Sequence, residues 1–209
     1  MKNIFVTGIG TNVGKTIASA VITEALQADY WKPIQTGANE FTDTQTIKNL
    51  ISNTKSVIHN ESYLFKEPVS PHLAASLENK TIQLSNIIIP ETKNNIVIEG
   101  AGGILVPINN THFIIDLANV FDCEIVLVIK NYVGCINHTL LSIDYLLNNQ
   151  YNLKGLILNG NFDKQVKSAI LNHSETPIIS EIKEFETFDQ LTIKELSKSV
   201  NTNLLLHDN

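Results

Sequence analysis

Gly14, Lys15 and Thr16, reached from Gly8 through a loop that carries Gly10, have the residue types to grip a polyphosphate. In Ile4-Phe5-Val6-Thr7-Gly8-Ile9-Gly10-Thr11-Asn12-Val13-Gly14-Lys15-Thr16, a short apolar strand runs into a loop that ends in Gly-Lys-Thr at a helix start. Such a loop wraps backbone N–H groups around phosphates, sends its lysine to the outer ones and places its threonine hydroxyl on Mg²⁺. The usual pattern has four residues before Gly-Lys-[Ser/Thr]; five separate Gly8 from Gly14, so this is a longer variant. An ordinary glycine turn could use the same residues. The apolar strand upstream and the helical run from Ile17 to Leu26 downstream favour the phosphate loop.

Other residues extend this chemistry. Glu99, directly after Ile96-Val97-Ile98, offers a carboxylate to the metal. Mg²⁺ takes oxygen ligands, keeps several waters and uses one or two carboxylates plus phosphate oxygens. Thr16, Glu99 and Asp43 would complete the protein's share, although Asp43 in Thr42-Asp43-Thr44 also suits a helix N-cap. Gly100, Gly102 and Gly103, around Ala101, let the backbone approach phosphate or substrate closely because they carry no Cβ. Lys32, inside Tyr-Trp-Lys-Pro-Ile, would bury a charge in the sheet unless it faces a polar cleft or snorkels to the surface. In a cleft it is an ammonium for an anionic substrate or a transferring phosphate. Gly134, Cys135, Ile136 and Asn137 open an amphipathic helix whose free N–H groups suit a carboxylate, with ordinary capping as the alternative. His72 stays undecided, His138 reads as a packed or solvent-facing helix residue, Cys135 as a small helix-start residue and His59 as a surface residue.

The chain contains no arginine; all fifteen of its basic residues are lysines. Phosphoryl-transfer systems often meet transition-state charge with an arginine finger. Neither this chain nor an identical partner has one, so Lys15, another lysine or the metal must do that work.

Positioning these residues requires a particular architecture. Apolar runs predict strands over 4–7, 30–34, 96–98, 124–130, 154–159 and 177–182. Helical patterns fall over 15–27, 43–52, 71–78, 85–89, 135–148, 163–172 and 191–199. Their alternation, with continuous Ile/Val/Leu strands, predicts an α/β fold: a doubly wound, mostly parallel sheet with helices on both faces, in a single domain over 1–209. Ligands in such folds bind at the carboxyl ends of the strands. Lys32, Thr36, Glu99, the segment 131–137, Asn159 and Gly160 all lie at or just after predicted strand ends.

Composition narrows the partners. A net charge of −6 without a lysine-rich run argues against nucleic acid and anionic membranes. Cys123 and Cys135 have neither disulfide-framework nor zinc spacing. No apolar run approaches the ~20 residues of a membrane span, and the early first strand leaves no room for a signal segment. A cytoplasmic location is the expectation.

Taken together, the motifs resemble the dethiobiotin synthetase family. They are Val-Thr-Gly-x-x-Thr-x-Val-Gly-Lys-Thr (Val6 to Thr16), Lys-Pro-x-x-Thr-Gly (Lys32 to Gly37), Pro-Val-Ser-Pro-His (Pro68 to His72), Ile-Glu-Gly-Ala-Gly-Gly (Ile98 to Gly103) and Gly-Cys-Ile-Asn-His (Gly134 to His138). With Asn159 they fall in order over residues 4 to about 160. The resemblance implies a P-loop ligase that joins 7,8-diaminononanoate (7,8-diaminopelargonate), CO₂ or bicarbonate, and ATP into the ureido ring. It implies phosphate contacts from Asn12, Val13, Gly14, Lys15, Thr16 and Ile17, continued by Gly100, Ala101 and Gly102, and Mg²⁺ on Thr16, Asp43 and Glu99. It makes Lys32 the active-site lysine with Lys15 beside it, puts Thr36 on substrate, and puts Asn159, with Gly160, at the adenine. It also implies a homodimer, with Gly134, Cys135, Ile136 and Asn137 of one subunit holding the substrate carboxylate in a site that the other completes. Gly10 and Asn12 stand where the family often carries acids, and Glu181-Ile182-Lys183 replaces Glu-Ile-Pro. A nucleotide-switch ATPase of the chromosome- or septum-positioning type is the alternative, but such proteins place a second lysine near Gly10. A cobyrinate-type amidating synthetase would need a glutaminase domain that 209 residues cannot hold.

Overall fold

The structure, a computed structural model, describes residues 1–39, 41–185 and 187–207. In chain order its elements are β1 (Asn3–Gly8), α1 (Lys15–Leu26), β2 (Asp29–Trp31), β3 (Ile34–Gln35), α2 (Asp43–Leu50), β4 (Tyr63–Leu64), α3 (Pro71–Leu77), β5 (Ile96–Glu99) and α4 (Asp116–Val120). There follow β6 (Glu124–Lys130), α5 (Cys135–Asn148), β7 (Leu153–Asn159), α6 (Lys164–Ser174), β8 (Ile178–Ile182), α7 (Gln190–Ser197) and α8 (Thr202–Leu206).

Six strands form a parallel sheet in the order β2-β5-β1-β6-β7-β8. Successive residues serve opposite faces, as a pleated strand requires. Ile96, Ile98, Ile125, Leu127 and Ile129 pack on one face with α5 and α6, and Val97, Val126 and Val128 on the other with α1, α2 and α7. Burial on both faces is why these strands read as unbroken apolar runs. The chain leaves β1 toward β2, returns through β5 and only then crosses to β6, so the order reverses beside β1. A doubly wound sheet opens its ligand crevice at such a reversal.

Several predicted elements change. The strand predicted over 30–34 breaks at Lys32-Pro33 into β2 and β3, because proline cannot donate to a ladder. The Pro33 carbonyl instead accepts from the backbone of Ser62 and Tyr63 at 2.9 Å, and β3 pairs with β4 in a separate two-stranded sheet. The helix predicted over 85–89 is a 3₁₀ turn, Leu84–Asn86, that gives way to extended backbone at Ile87. Ile87-Ile88-Ile89 is stiffly β-branched and precedes Pro90, which disfavours helix at residue 89. The short helices α4 and α8 and the short strand β4 were not predicted. The helix predicted to reach Ser52 ends at Leu50, and the Ser52 and Asn53 N–H groups turn to the Glu24 carboxylate.

Candidate functional site

Above the carboxyl ends of β1, β2 and β5 lies a cavity of about 730 Å³. Its floor carries Lys15, Thr16, Lys32, Asp43 and Glu99. Thr11, Asn12, Gly14 and Ile17 come from the loop and first turn of α1; Gln35, Thr36 and residues 68–71 form the facing wall, and Ala101, Gly102 and Val106 add a third side.

The loop conformation accounts for its glycine. Gly14 has φ 92°, in the left-handed region, and a Cβ there would sit 2.1 Å from Asn159 Nδ2. That amide donates to the Val13 carbonyl at 2.8 Å, so Asn159, at the end of β7, braces the loop from outside the cavity. Lys15 Nζ donates to the Gly10 carbonyl at 3.0 Å. Burial, helped by the nearby Lys32 ammonium and opposed by Glu99 and Asp43, lowers the Lys15 pKa to about 8.

Strand register assembles the rest. Trp31 pairs with Ile98, which sets Lys32 beside Glu99. Lys32 Nζ lies 2.5 Å from Asp43 Oδ2 and 2.8 Å from Glu99 Oε1. The Thr16 hydroxyl lies 2.8 Å from Asp43 Oδ1 and 3.0 Å from Glu99 Oε1, and its one proton serves one acceptor at a time. Lys32 therefore does not stand free in the cleft; its ammonium bridges the two acids. Burial opposes its charge, but Glu99 and Asp43 outweigh burial and raise its pKa above the ordinary lysine value. The Asp43 carboxyl is lowered, because Lys32, Thr16 and Gln35 outweigh its own desolvation.

Asp43 is not the N-cap of α2. Thr42 caps that helix, with a reciprocal pair of hydrogen bonds to Gln45, which leaves the Asp43 side chain for the cavity. Gln35 holds the helix start: its Oε1 accepts from the Asp43 N–H at 3.0 Å and its Nε2 donates to the Thr36 carbonyl at 2.7 Å. Tyr30 donates its hydroxyl to Glu99 Oε2 at 2.9 Å. Sequence reasoning missed Gln35 and Tyr30. Tyr30 lies two residues before Lys32 and so shares its strand face, a signal that could have found it.

Other predicted residues lie apart from the cavity. Gly100 packs beneath it on Phe5, Val13 is buried at the base of the loop, and Gly160 donates its N–H to the Ile182 carbonyl at 2.8 Å. Gly134 caps α5 with φ 99°, Cys135 is buried and free, Ile136 packs on the core, and Asn137 faces solvent. Beside them Val133 is fully exposed, and the Tyr132 hydroxyl meets His138 Nδ1 at 2.6 Å. His72 is exposed. His59 is not a free surface residue, since its Nε2 sits 3.0 Å from the buried Asp29 carboxylate.

Residues 2–192 match the sequence model of a family described as an AAA domain. The chain is 41% identical over 203 residues to the ATP-dependent dethiobiotin synthetase BioD of Christiangramia forsetii, covering 97% of this chain and 98% of that protein. It is 47% identical over 175 residues to the protein of the same name from Cytophaga hutchinsonii, covering 83% and 84%. Among solved structures, a ParA family ATPase from Chlorobium tepidum matches with a TM-score of 0.55 at 13% identity, over 100% of this chain and 99% of that one. MinD in the Aquifex aeolicus MinC:MinD cell division complex gives 0.54 at 12%, over 100% and 98%. Likeness at that identity is a likeness of fold.

Proposed function

The chain belongs to the ATP-dependent dethiobiotin synthetase family, and from that premise we propose that it is an ATP- and Mg²⁺-dependent ligase closing the ureido ring of dethiobiotin in biotin biosynthesis. The substrates are 7,8-diaminononanoate and CO₂, and ADP and phosphate are released. One amine captures CO₂ as a carbamate, and a carbamate oxygen attacks the γ-phosphorus of ATP as ADP leaves. The second amine then attacks the carbonyl of the mixed anhydride, closing the ring and expelling phosphate.

One observation carries this reading: two lysines, two acids and a hydroxyl converge on the floor of a cavity that a phosphate loop bounds on one side. The loop N–H groups and Lys15 would hold the β- and γ-phosphates. Lys32 would meet the charge of the carbamate and of the transferring phosphoryl group, and its firmly protonated state suits that role. With no arginine in the chain, these two ammonium groups are the cations nearest the reaction. Thr36 and the wall at residues 68–71 would bound the diamine.

Thr16, Asp43 and Glu99 would hold Mg²⁺. Among the described residues no three His, Cys, Asp or Glu side chains gather as a metal site. Two carboxylates and a hydroxyl around one cationic position nevertheless fit an ion that takes its remaining ligands from phosphate and water. When bound, Mg²⁺ neutralises charge on the β- and γ-phosphates. The exposed start of α5 would receive the substrate carboxylate in a homodimer, which is consistent with Gly134 and Asn137 lying outside this chain's cavity. Asn159 and Gly160 would border the adenine. No described helix is long and apolar enough to cross a membrane, and we place the enzyme in the cytoplasm.

The test is phosphate release from ATP with and without 7,8-diaminononanoate plus bicarbonate. Release that depends on both is the expected result. Turnover indifferent to the diamine would instead favour the nucleotide-switch ATPase, whose fold this chain shares.

A further inference from the structure

Glu99 is 1% exposed, and its two oxygens have different partners. Oε1 faces the cavity floor and meets Lys32 at 2.8 Å and Thr16 at 3.0 Å. Oε2 points away and accepts the Tyr30 hydroxyl at 2.9 Å. Lys32 and Thr16 line the cavity, so an incoming cation could take their place at Oε1. Tyr30 does not line it; the residue is 0% exposed and belongs to the buried apolar cluster that also holds Ile4, Val97, Ile47 and Leu50. The phenol is a fixed donor in a dry setting, where a hydrogen bond to a charged oxygen is strong. Rotating the carboxylate would leave both that hydroxyl and Oε2 buried without a partner.

We infer that Tyr30 is a positioning residue for the metal, holding Glu99 by Oε2 so that Oε1 alone is presented to a divalent cation. The inference rests on the proposed Mg²⁺ role of Glu99. It differs from the binding reading of Lys32 and Thr16 because Tyr30 touches neither cavity nor ligand. Its hydrogen bond ties the reach of a binding carboxylate to the register between β2 and β5, since Tyr30 pairs with Val97 two residues before Glu99. Groups that orient a metal ligand in this way typically govern affinity by about ten- to a hundredfold.

The experiment measures Mn²⁺ affinity, by electron paramagnetic resonance, for protein loaded with a non-hydrolysable ATP analogue. Wild type, Tyr30→Phe and Glu99→Gln are compared, and analogue affinity in EDTA serves as control. Tyr30→Phe is expected to weaken Mn²⁺ about tenfold and to leave metal-free analogue binding within about twofold. Placing 4-aminophenylalanine at position 30 keeps a donor and should restore most of the loss. If Tyr30→Phe does not fold, 4-methylphenylalanine fills the hydroxyl's place without a donor and should show the same weakening. Wild-type Mn²⁺ affinity in Tyr30→Phe, with affinity lost in Glu99→Gln, overturns the role of Tyr30 and leaves the metal reading standing. Wild-type affinity in both variants overturns both. Failure of the amino analogue to restore binding assigns the effect to packing and also overturns the inference.

Discussion

Glu99 and Asp29 lie at opposite ends of the sheet, each 1% exposed, and they are held in contrasting ways. Asp29 opens β2 and accepts from the Val57 N–H at 3.0 Å, Thr92 Oγ1 at 2.7 Å and Asn94 Nδ2 at 3.2 Å, with His59 Nε2 at 3.0 Å. Glu24 is nearby at that end and takes the N–H groups of Ser52 and Asn53 together with their side chains. The partners of these two acids among the described residues come from short connecting segments. Glu99 and Asp43 face a lysine and a hydroxyl on the floor of a cavity. Burial alone therefore does not mark a functional acid in this molecule. An acid saturated by backbone N–H groups, hydroxyls, amides and an imidazole fastens loops, whereas one that shares a lysine at a cavity can exchange it for a ligand.

If that contrast is right, Lys15→Ala should have the largest effect on activity. Turnover should fall by about a thousandfold or more, because a preorganised phosphate donor is lost. The melting temperature should hardly move, since among the described residues the Lys15 side chain makes a single hydrogen bond, to the Gly10 carbonyl. Near-normal turnover in this variant would remove the phosphate-loop assignment.

Lys32→Gln comes next. Steady-state kinetics should show kcat down about a hundredfold with nucleotide affinity within a few-fold. The variant also leaves Glu99 and Asp43 facing each other without their shared cation. Metal-free protein should lose about 2 kcal/mol of stability, below the usual range for a broken buried pair because Asp43 is 29% exposed. Mg²⁺ with nucleotide should recover much of that loss, and urea unfolding in both conditions reads it out. Lys32→Arg should rescue turnover poorly, because a planar fork does not replace a compact ammonium. Wild-type rates in Lys32→Gln would reduce Lys32 to a counter-ion.

The amino end should behave in the opposite way. Asp29→Asn should cost about 2 kcal/mol and change kcat less than twofold. Burial pushes the Asp29 and Glu24 carboxyls up, but their donors outweigh it and hold both below the ordinary values of 3.8 and 4.5. A lowered folded pKa gives stability that is complete above the ordinary value and fades as pH falls through the folded one. Melting curves between about pH 3 and pH 6 should flatten in Asp29→Asn and Glu24→Gln relative to wild type. An unchanged acid limb would show that these donors do not stabilise the charged forms.

The smallest expected effect concerns Lys15 and pH. With its pKa near 8, the residue is largely charged at neutral pH and loses its proton above pH 8. Phosphate binding favours the ammonium, so nucleotide affinity should fall a few-fold as pH rises through about 8, and binding there should take up protons. Calorimetry in buffers of different ionisation enthalpy measures that uptake. The same lowered pKa means that stability rises between about pH 8 and 10.5, where the unfolded chain holds the proton more tightly.

Local patterns were enough for the alternating architecture, for β6 and α5 to the residue, and for the loop over Gly8 to Thr16. Period-two burial, helical periodicity and the special backbone of glycine act within a few residues, so they are written into contiguous sequence. The acids and lysines of the floor were also legible, because strand ends in a parallel sheet must converge on one crevice. Their pairing was not. That Lys32 bridges Asp43 and Glu99 depends on the register of β2 against β5 and on Thr42, rather than Asp43, capping α2. That Tyr30 and Gln35 brace those acids depends on contacts across 69 and 8 residues. The break at Pro33 and the extended backbone after the 3₁₀ turn at Leu84–Asn86 have local causes, the missing proline N–H and the β-branched run before Pro90. The short α4 and α8 instead follow hydrogen bonds and packing to other elements, which outweigh weak local preference in short segments. Hydrogen-bond partners distant in sequence leave no periodic trace, so only the folded chain could distinguish Glu99 from Asp29.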